Sequence, residues 1–232
     1  MAGLLSFLLC ALALGLAACG DDDDEGGSSG GEARQATAAA GGDAKGGCRE
    51  VSTPEPKPDG GERAPKGALD PGATYEVVLA TSCGDITIRV DQRTSPKTAA
   101  SFVALAESGF YDNTIFHRIV PGFVIQGGDP TGTGTGGPGY SVRDRPPADA
   151  AYTEGVVAMA KTAAEPKGTS GSQFYIVTAP DAGLPADYAL LGKVVKGLDV
   201  TLAIGELGDP ASGGAGTPLQ TVVIEEATVR ES

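Results

Sequence analysis

From Thr74 onward, apolar and polar side chains alternate in short runs. Tyr75, Val77 and Leu79 share one phase, and Ile86, Ile88 and Val90 repeat it after Ser82-Cys83-Gly84. A period of two puts one set of side chains on one face of a strand, and two such runs joined by a short Gly-containing turn read as a hairpin. The period then lengthens. Ala99, Phe102, Val103 and Ala106 fall on one helical face, introduced by Thr94-Ser95-Pro96 and stopped at Gly109: a cap hydroxyl, then Pro at the first helical position, then a glycine terminator. Strand-like runs resume at 115–120, 123–126, 156–160, 173–178 and 188–195, a second short helix fits Leu198 to Ile204, and a last strand covers 221–229. The pattern predicts a mainly β fold, with its strands closed as an eight-stranded antiparallel β-barrel capped by two short helices, since closure removes the edges.

Upstream of Thr74 the alternation is absent. Between Gly20 and Pro71 there are Gly-Gly pairs and then Pro54, Pro56, Pro58 and Pro65, the composition of a tether that is flexible first and stiffer later. Ahead of it, Leu4 to Leu16 is apolar apart from Ser6 and Gly15, too short for a lasting membrane span. Leu16-Ala17-Ala18-Cys19 is similar to a bacterial lipobox, whose cysteine is lipidated after cleavage behind small residues. The chain therefore divides into a signal peptide (1–18), a lipid-anchored disordered tether (19–72) and a barrel domain (73–232). No Lys or Arg precedes the apolar stretch, and an uncleaved N-terminal anchor is the alternative. Either arrangement places the domain outside the cytoplasm, attached to the cell membrane.

Charge and cysteine content narrow the picture. The formal net charge of −13 excludes a phosphate backbone as partner, which would need a basic face. The run Asp21 to Glu25 reads as a solvated acidic stretch rather than a cation site. With Cys10 in the signal and Cys19 carrying the lipid, Cys48 and Cys83 remain, in a compartment where disulfides persist. They are expected to pair, pinning the end of the tether to the first hairpin; two free thiols are the alternative.

The densest motif runs Phe116-His117-Arg118-Ile119-Val120-Pro121-Gly122-Phe123-Val124-Ile125-Gln126-Gly127-Gly128-Asp129. It resembles the cyclophilin signature. Gly171-Ser172-Gln173-Phe174-Tyr175-Ile176 and the stretch from Leu191 to Val200 resemble later parts of the same family, so that the likeness covers about 74–229. The resemblance implies a cyclophilin-like barrel and peptidyl-prolyl cis–trans isomerase activity on proline-containing segments of exported proteins, by a monomer, without cofactor or metal. It assigns catalysis to Arg118, Phe123 and Gln126. Phe123, Val124, Tyr175 and Leu184 fall at positions that line the proline pocket, Gln126 and the backbone around Ala160 and Lys161 at those that hold the substrate chain, Gln173 and Gly134 at others lining the same groove, and Tyr188 is a further substrate-binding position. Val124 stands where Met is common, Tyr188 where His is, and Leu191 where an aromatic is; Gly183 sits roughly where some members carry Trp.

The chemistry needs no more than these parts. An X–Pro amide is held planar by resonance, with a barrier of about 18–20 kcal/mol. At mid-rotation the nitrogen lone pair localises, and a donor aimed at it binds the twisted state better than the planar one. Other readings are weaker. His117, the only histidine, has no partner for a triad or zinc site and reads as a buried hydrogen-bonding residue. Gly132 to Gly137 matches a dinucleotide fingerprint, but Pro138-Gly139 follows and no helix starts there; a glycine-rich loop capped by Asp129 fits better. A binding module that captures proline segments with little turnover, and a structural envelope lipoprotein, remain as alternatives.

Overall fold

In the computed structural model the described residues are 47–232. The expected signal peptide, Cys19 and the first part of the expected tether lie outside them. The first alternating runs form β1 (Tyr75–Thr81) and β2 (Gly84–Val90). Leu79 stands opposite Ile86 and Val77 opposite Ile88, and all four are fully buried, since directly opposed residues project from the same face of a sheet.

Helix α1 (Pro96–Glu107) follows. It ends at Gly109, whose φ of 72° suits a residue without Cβ. The amides of Gly109 and Phe110 donate back to the carbonyls of Ala106 and Leu105, which closes the last turn. The helix start departs from expectation: the Ser95 side chain makes no cap bond. Instead the Asp144 carboxylate accepts the Thr98 amide at 2.7 Å, supplying from another part of the chain both the acceptor and a charge that suits a helix N-terminus.

The remaining elements are β3 (Thr114–Ile115), β4 (Arg118–Val120), β5 (Val124–Gly127), β6 (Val142–Arg143), β7 (Val156–Met159), β8 (Thr169–Ser170), β9 (Phe174–Val177), β10 (Leu190–Lys196), α2 (Leu198–Gly205), a 3-10 turn (Pro210–Ala215) and β11 (Val223–Glu231). Among the described residues nine strands make one antiparallel sheet in the order β3-β11-β1-β2-β10-β7-β9-β5-β4, with β6 and β8 paired apart. The expected closed eight-stranded barrel is therefore corrected to a curled half-barrel, open between β3 and β4. The run expected as one strand over 115–120 is broken at Phe116-His117, where the Phe116 amide donates to the Val222 carbonyl. Its two pieces form opposite edges of the sheet; an isolated bridge joins Ile115 to Asp129, just after β5, and the Ile119 amide donates to the Gly216 carbonyl ahead of β11. The interior holds the main core, in which Phe102, Tyr111, Phe116 and Phe174 meet at ring-centroid distances of 5.0–6.2 Å.

The described part of the expected tether makes contacts of its own. Residues 47–72 lie against the domain as a strap. Cys48 and Cys83 are joined by a disulfide, the Arg49 guanidinium meets Glu225 at 2.6 Å, and the Lys57 ammonium donates to the carbonyls of Gly109 and Phe110. Its prolines disfavour helix and strand, but backbone bonds and the cross-link hold it without apolar periodicity. This order leaves no trace in a hydrophobic pattern.

Candidate active site

Two adjacent rows of the half-barrel set the site. Ile119, Ile125, Ile176 and Val157 stand opposite one another across β4, β5, β9 and β7 and are fully buried in the interior. One residue along, the period of two turns the neighbouring row outward: Arg118 opposite Gln126, Gln126 opposite Tyr175, Tyr175 opposite Ala158. An apolar ladder on one face thus places a guanidinium, an amide and an aromatic side by side on the other. Val124 shares that outward face with Gln126. Phe123 belongs to the turn before β5, where Gly122 takes a φ of 64° and the Phe123 amide donates to Val120. The Pro121-Gly122 bend brings the ring into line.

A second apolar cluster supports this outer face, with Val124, Tyr152, Ala158, Tyr175, Val177 and Ala179 buried in it and Phe123, Leu184 and Tyr188 packed around them. Above it lies a cavity of about 200 Å³ bordered by Arg118, Phe123, Val124, Gln126, Ala160, Lys161, Tyr175, Leu184 and Tyr188. The two remaining expected residues, Gly134 and Gln173, border a neighbouring cavity of about 610 Å³ that shares Gln126, Ala160 and Lys161 with the first. All eleven residues named from the sequence for catalysis and substrate binding therefore border one or other of two adjoining cavities, together called the groove below. Leu191 does not; it is buried within the core cluster.

Arg118 is half-buried and oriented on both sides. Its Nε and Nη2 donate to the Gly214 carbonyl at 3.1 and 3.0 Å, and Nη1 donates to Gln126 Oε1 at 3.3 Å. Three of the five N–H bonds of the fork are used, which leaves one on each Nη for a ligand. Burial draws its pKa down from the ordinary arginine value, with Tyr188 opposing. Gln126 Nε2 donates in turn to Gln173 Oε1 at 3.0 Å. The Lys161 ammonium stands 5.5 Å over the Tyr188 ring and donates to the carbonyls of Thr162 and Glu165.

The Tyr175 hydroxyl is buried without a partner, and desolvation, then Tyr152 and Tyr188, push its pKa far above the ordinary range. It serves the pocket as an aromatic wall. His117 is also unlike expectation. Both ring nitrogens are buried without a partner, although the residue is only partly buried, so it is not the hydrogen-bonding residue expected. Burial lowers its pKa, Asp129 raises it and Arg118 lowers it further. Asp129 caps the glycine-rich loop: its carboxylate accepts the amides of Thr131, Gly134 and Gly136, and a Cβ at Gly136 would land on that carboxylate.

Two contributors carry no sequence signal. Gly214 acts through its carbonyl in a segment without a motif. Tyr152, in an irregular stretch, exchanges hydrogen bonds with the Tyr188 backbone at 2.6 and 3.0 Å and so fixes that wall of the pocket.

The model of the family described as cyclophilin type peptidyl-prolyl cis-trans isomerase/CLD matches residues 76–229. The chain belongs to this family. The cyclophilin domain is 39% identical over 140 residues to a peptidyl-prolyl cis-trans isomerase of Arabidopsis thaliana, covering 59% of this chain and 84% of that protein. It is likewise 39% identical over 169 residues to peptidyl-prolyl cis-trans isomerase B of Streptomyces anulatus, covering 65% and 94%. Among solved structures, a cyclophilin type peptidyl-prolyl cis-trans isomerase of Cryptosporidium parvum, crystallised in the presence of the dipeptide Ala-Pro, superposes with a TM-score of 0.60 at 32% identity over 67% of this chain and 98% of that one. The cyclophilin domain is an isomerase, set on a curled antiparallel half-barrel.

Proposed function

We propose that this isomerase acts on X–Pro bonds of exported polypeptides while lipid-anchored through Cys19, and that Arg118 donates to the amide nitrogen of the twisted bond. One observation carries the catalytic half: the guanidinium, held by Gln126 and Gly214 with an N–H free on each Nη, borders the same cavity as Phe123, Val124, Tyr175 and Leu184. The apolar walls accept the proline ring. Bonds to the flanking backbone, from the side of Ala160, Lys161 and Gln173, hold one end of the substrate while the other rotates. Loss of resonance at mid-rotation makes the nitrogen an acceptor that the planar amide lacks, so the free Nη–H stabilises the transition state selectively. The Ala-Pro dipeptide present with the Cryptosporidium relative supports proline-containing segments as the substrate class.

A charge-assisted hydrogen bond contributes about 1.5–3 kcal/mol. Arg118→Ala is accordingly expected to lower kcat/KM on an Xaa-Pro peptide about ten- to 150-fold, read by exchange of cis and trans NMR signals, with the thermal unfolding midpoint little changed. Unchanged turnover would remove Arg118 from the mechanism. The anchoring half rests on Leu16-Ala17-Ala18-Cys19. Cys19→Ser is expected to shift the protein from the membrane fraction to the soluble one and to delete the lipid mass from the mature N-terminus; a mature wild-type chain without lipid on Cys19 would overturn it.

A further inference from the structure

The strap meets the domain at a place that matters for the groove. The Gly137 amide donates to Asp59 Oδ1 at 2.8 Å, the Gly60 amide donates to the Gly137 carbonyl at 2.9 Å, and the Glu62 amide donates to the Pro138 carbonyl at 3.0 Å. Gly60 and Gly139 approach so closely that a Cβ on Gly139 would stand 3.1 Å from Gly60 Cα. Among the described residues every hydrogen bond of Gly137 and Pro138 is made with the strap. These residues form the far end of the glycine-rich loop bordering the larger cavity.

The near end of the loop is tied to the catalytic row. Gln173 Nε2 donates to the carbonyls of Gly134 and Gly136 at 3.0 and 2.9 Å, Gln173 Oε1 accepts from Gln126, and Gln126 Oε1 accepts from Arg118. Each amide in this relay is used once as donor group and once as acceptor, in one consistent direction. A chain of bonded groups therefore runs from Asp59 to the guanidinium. The strap also lies before residues 76–229, the part the family model matches.

We propose that the strap, through Asp59, Gly60 and Glu62, is a positioning element of the substrate groove, bracing the loop 132–139 from behind so that Gln173 and Gln126 meet the substrate chain in a fixed geometry. This rests on the assignment of the groove to the isomerase reaction. A loop with five glycines among its eight residues has large conformational freedom to lose on binding, and a brace that removes it beforehand lowers the entropic cost of holding peptide residues beyond the proline. Asp59 is a positioning residue, since it touches the loop and not the substrate.

The test uses the full oxidised chain and two peptides: a short Xaa-Pro peptide confined to the proline cavity, and a longer one reaching the larger cavity. Asp59→Ala is expected to raise KM for the longer peptide about two- to tenfold, the worth of one hydrogen bond, while kcat on the short peptide changes less than twofold. Asp59→Asn, which keeps the acceptor, restores KM. Hydrogen exchange at the Gly137 amide quickens in Asp59→Ala alone. An unchanged KM for the longer peptide in Asp59→Ala, or the same loss in Asp59→Asn, would overturn the proposal. Arg118→Ala run in the same assay separates the two ideas: if it turns over normally the arginine assignment falls, while the brace is still judged by the Asp59 pair.

Discussion

At the scale of single residues, the site mixes groups that are firmly held with groups left unpartnered. Arg118 has a carbonyl on one side and an amide oxygen on the other. His117, its neighbour, has neither ring nitrogen bonded, and burial, only partly opposed by Asp129, favours its neutral form. The sign of the pH effect follows. Above about pH 6.5 the imidazole is neutral in both folded and unfolded chains and contributes nothing. Below it the unfolded chain takes up the proton first, so stability falls with pH until the depressed folded pKa is passed. With one histidine in the sequence, the effect is cleanly assignable. Denaturant midpoints measured at pH 7.5, 6.5 and 5.5 are expected to fall for the wild type and to fall less for His117→Gln. Parallel curves for the two proteins would show that His117 is not the titrating group.

At the scale of elements, the legibility of the sequence divides along physical lines. The hairpin of β1 and β2 and the helix stop at Gly109 were readable from local periodicity, and Arg118, Gln126 and Tyr175 were named through dense motifs, though not as one outward row. The break at Phe116-His117 was not. Nothing in the six-residue run 115–120 reports that its two halves will pair with strands on opposite sides of a curled sheet. The cap of α1 failed for a related reason: Ser95-Pro96 offers a local hydroxyl, but Asp144, distant in sequence, supplies the acceptor. Gly214 and Tyr152 were invisible because one contributes only a backbone carbonyl and the other only a phenol reaching back to a strand end. Groups that work through backbone atoms or long-range contact leave no periodic trace. By contrast, Arg118, Gln126 and Tyr175 sit in strands, where a period of two ties the face of each side chain to that of its buried neighbours.

At the scale of the whole molecule, the strap changes what the Cys48–Cys83 disulfide does. A cross-link stabilises by restricting the unfolded chain, and with a sequence separation of 35 between the cysteines the entropy term amounts to about 4 kcal/mol, with 2–4 kcal/mol typical of measured cases. That gain requires the enclosed segment to be ordered in the folded protein. Were residues 49–73 a loose tether, the bond would close a flexible loop in folded and unfolded chains alike, and the two costs would cancel. The bonds from Arg49 to Glu225, from Lys57 to Gly109 and Phe110, and from Gly137 to Asp59 place the strap in the ordered unit. Reduction, or the Cys48→Ser and Cys83→Ser pair, is therefore expected to lower the thermal unfolding midpoint by about 5–15 °C, at 2–4 °C per kcal/mol for a domain of this size. A shift under about 2 °C would mean that the cross-link constrains both states equally and that the strap is not part of the folded unit. The brace on the glycine-rich loop would then lose its foundation as well, because a strap undocked at Cys48 and Lys57 could not hold Asp59 against Gly137.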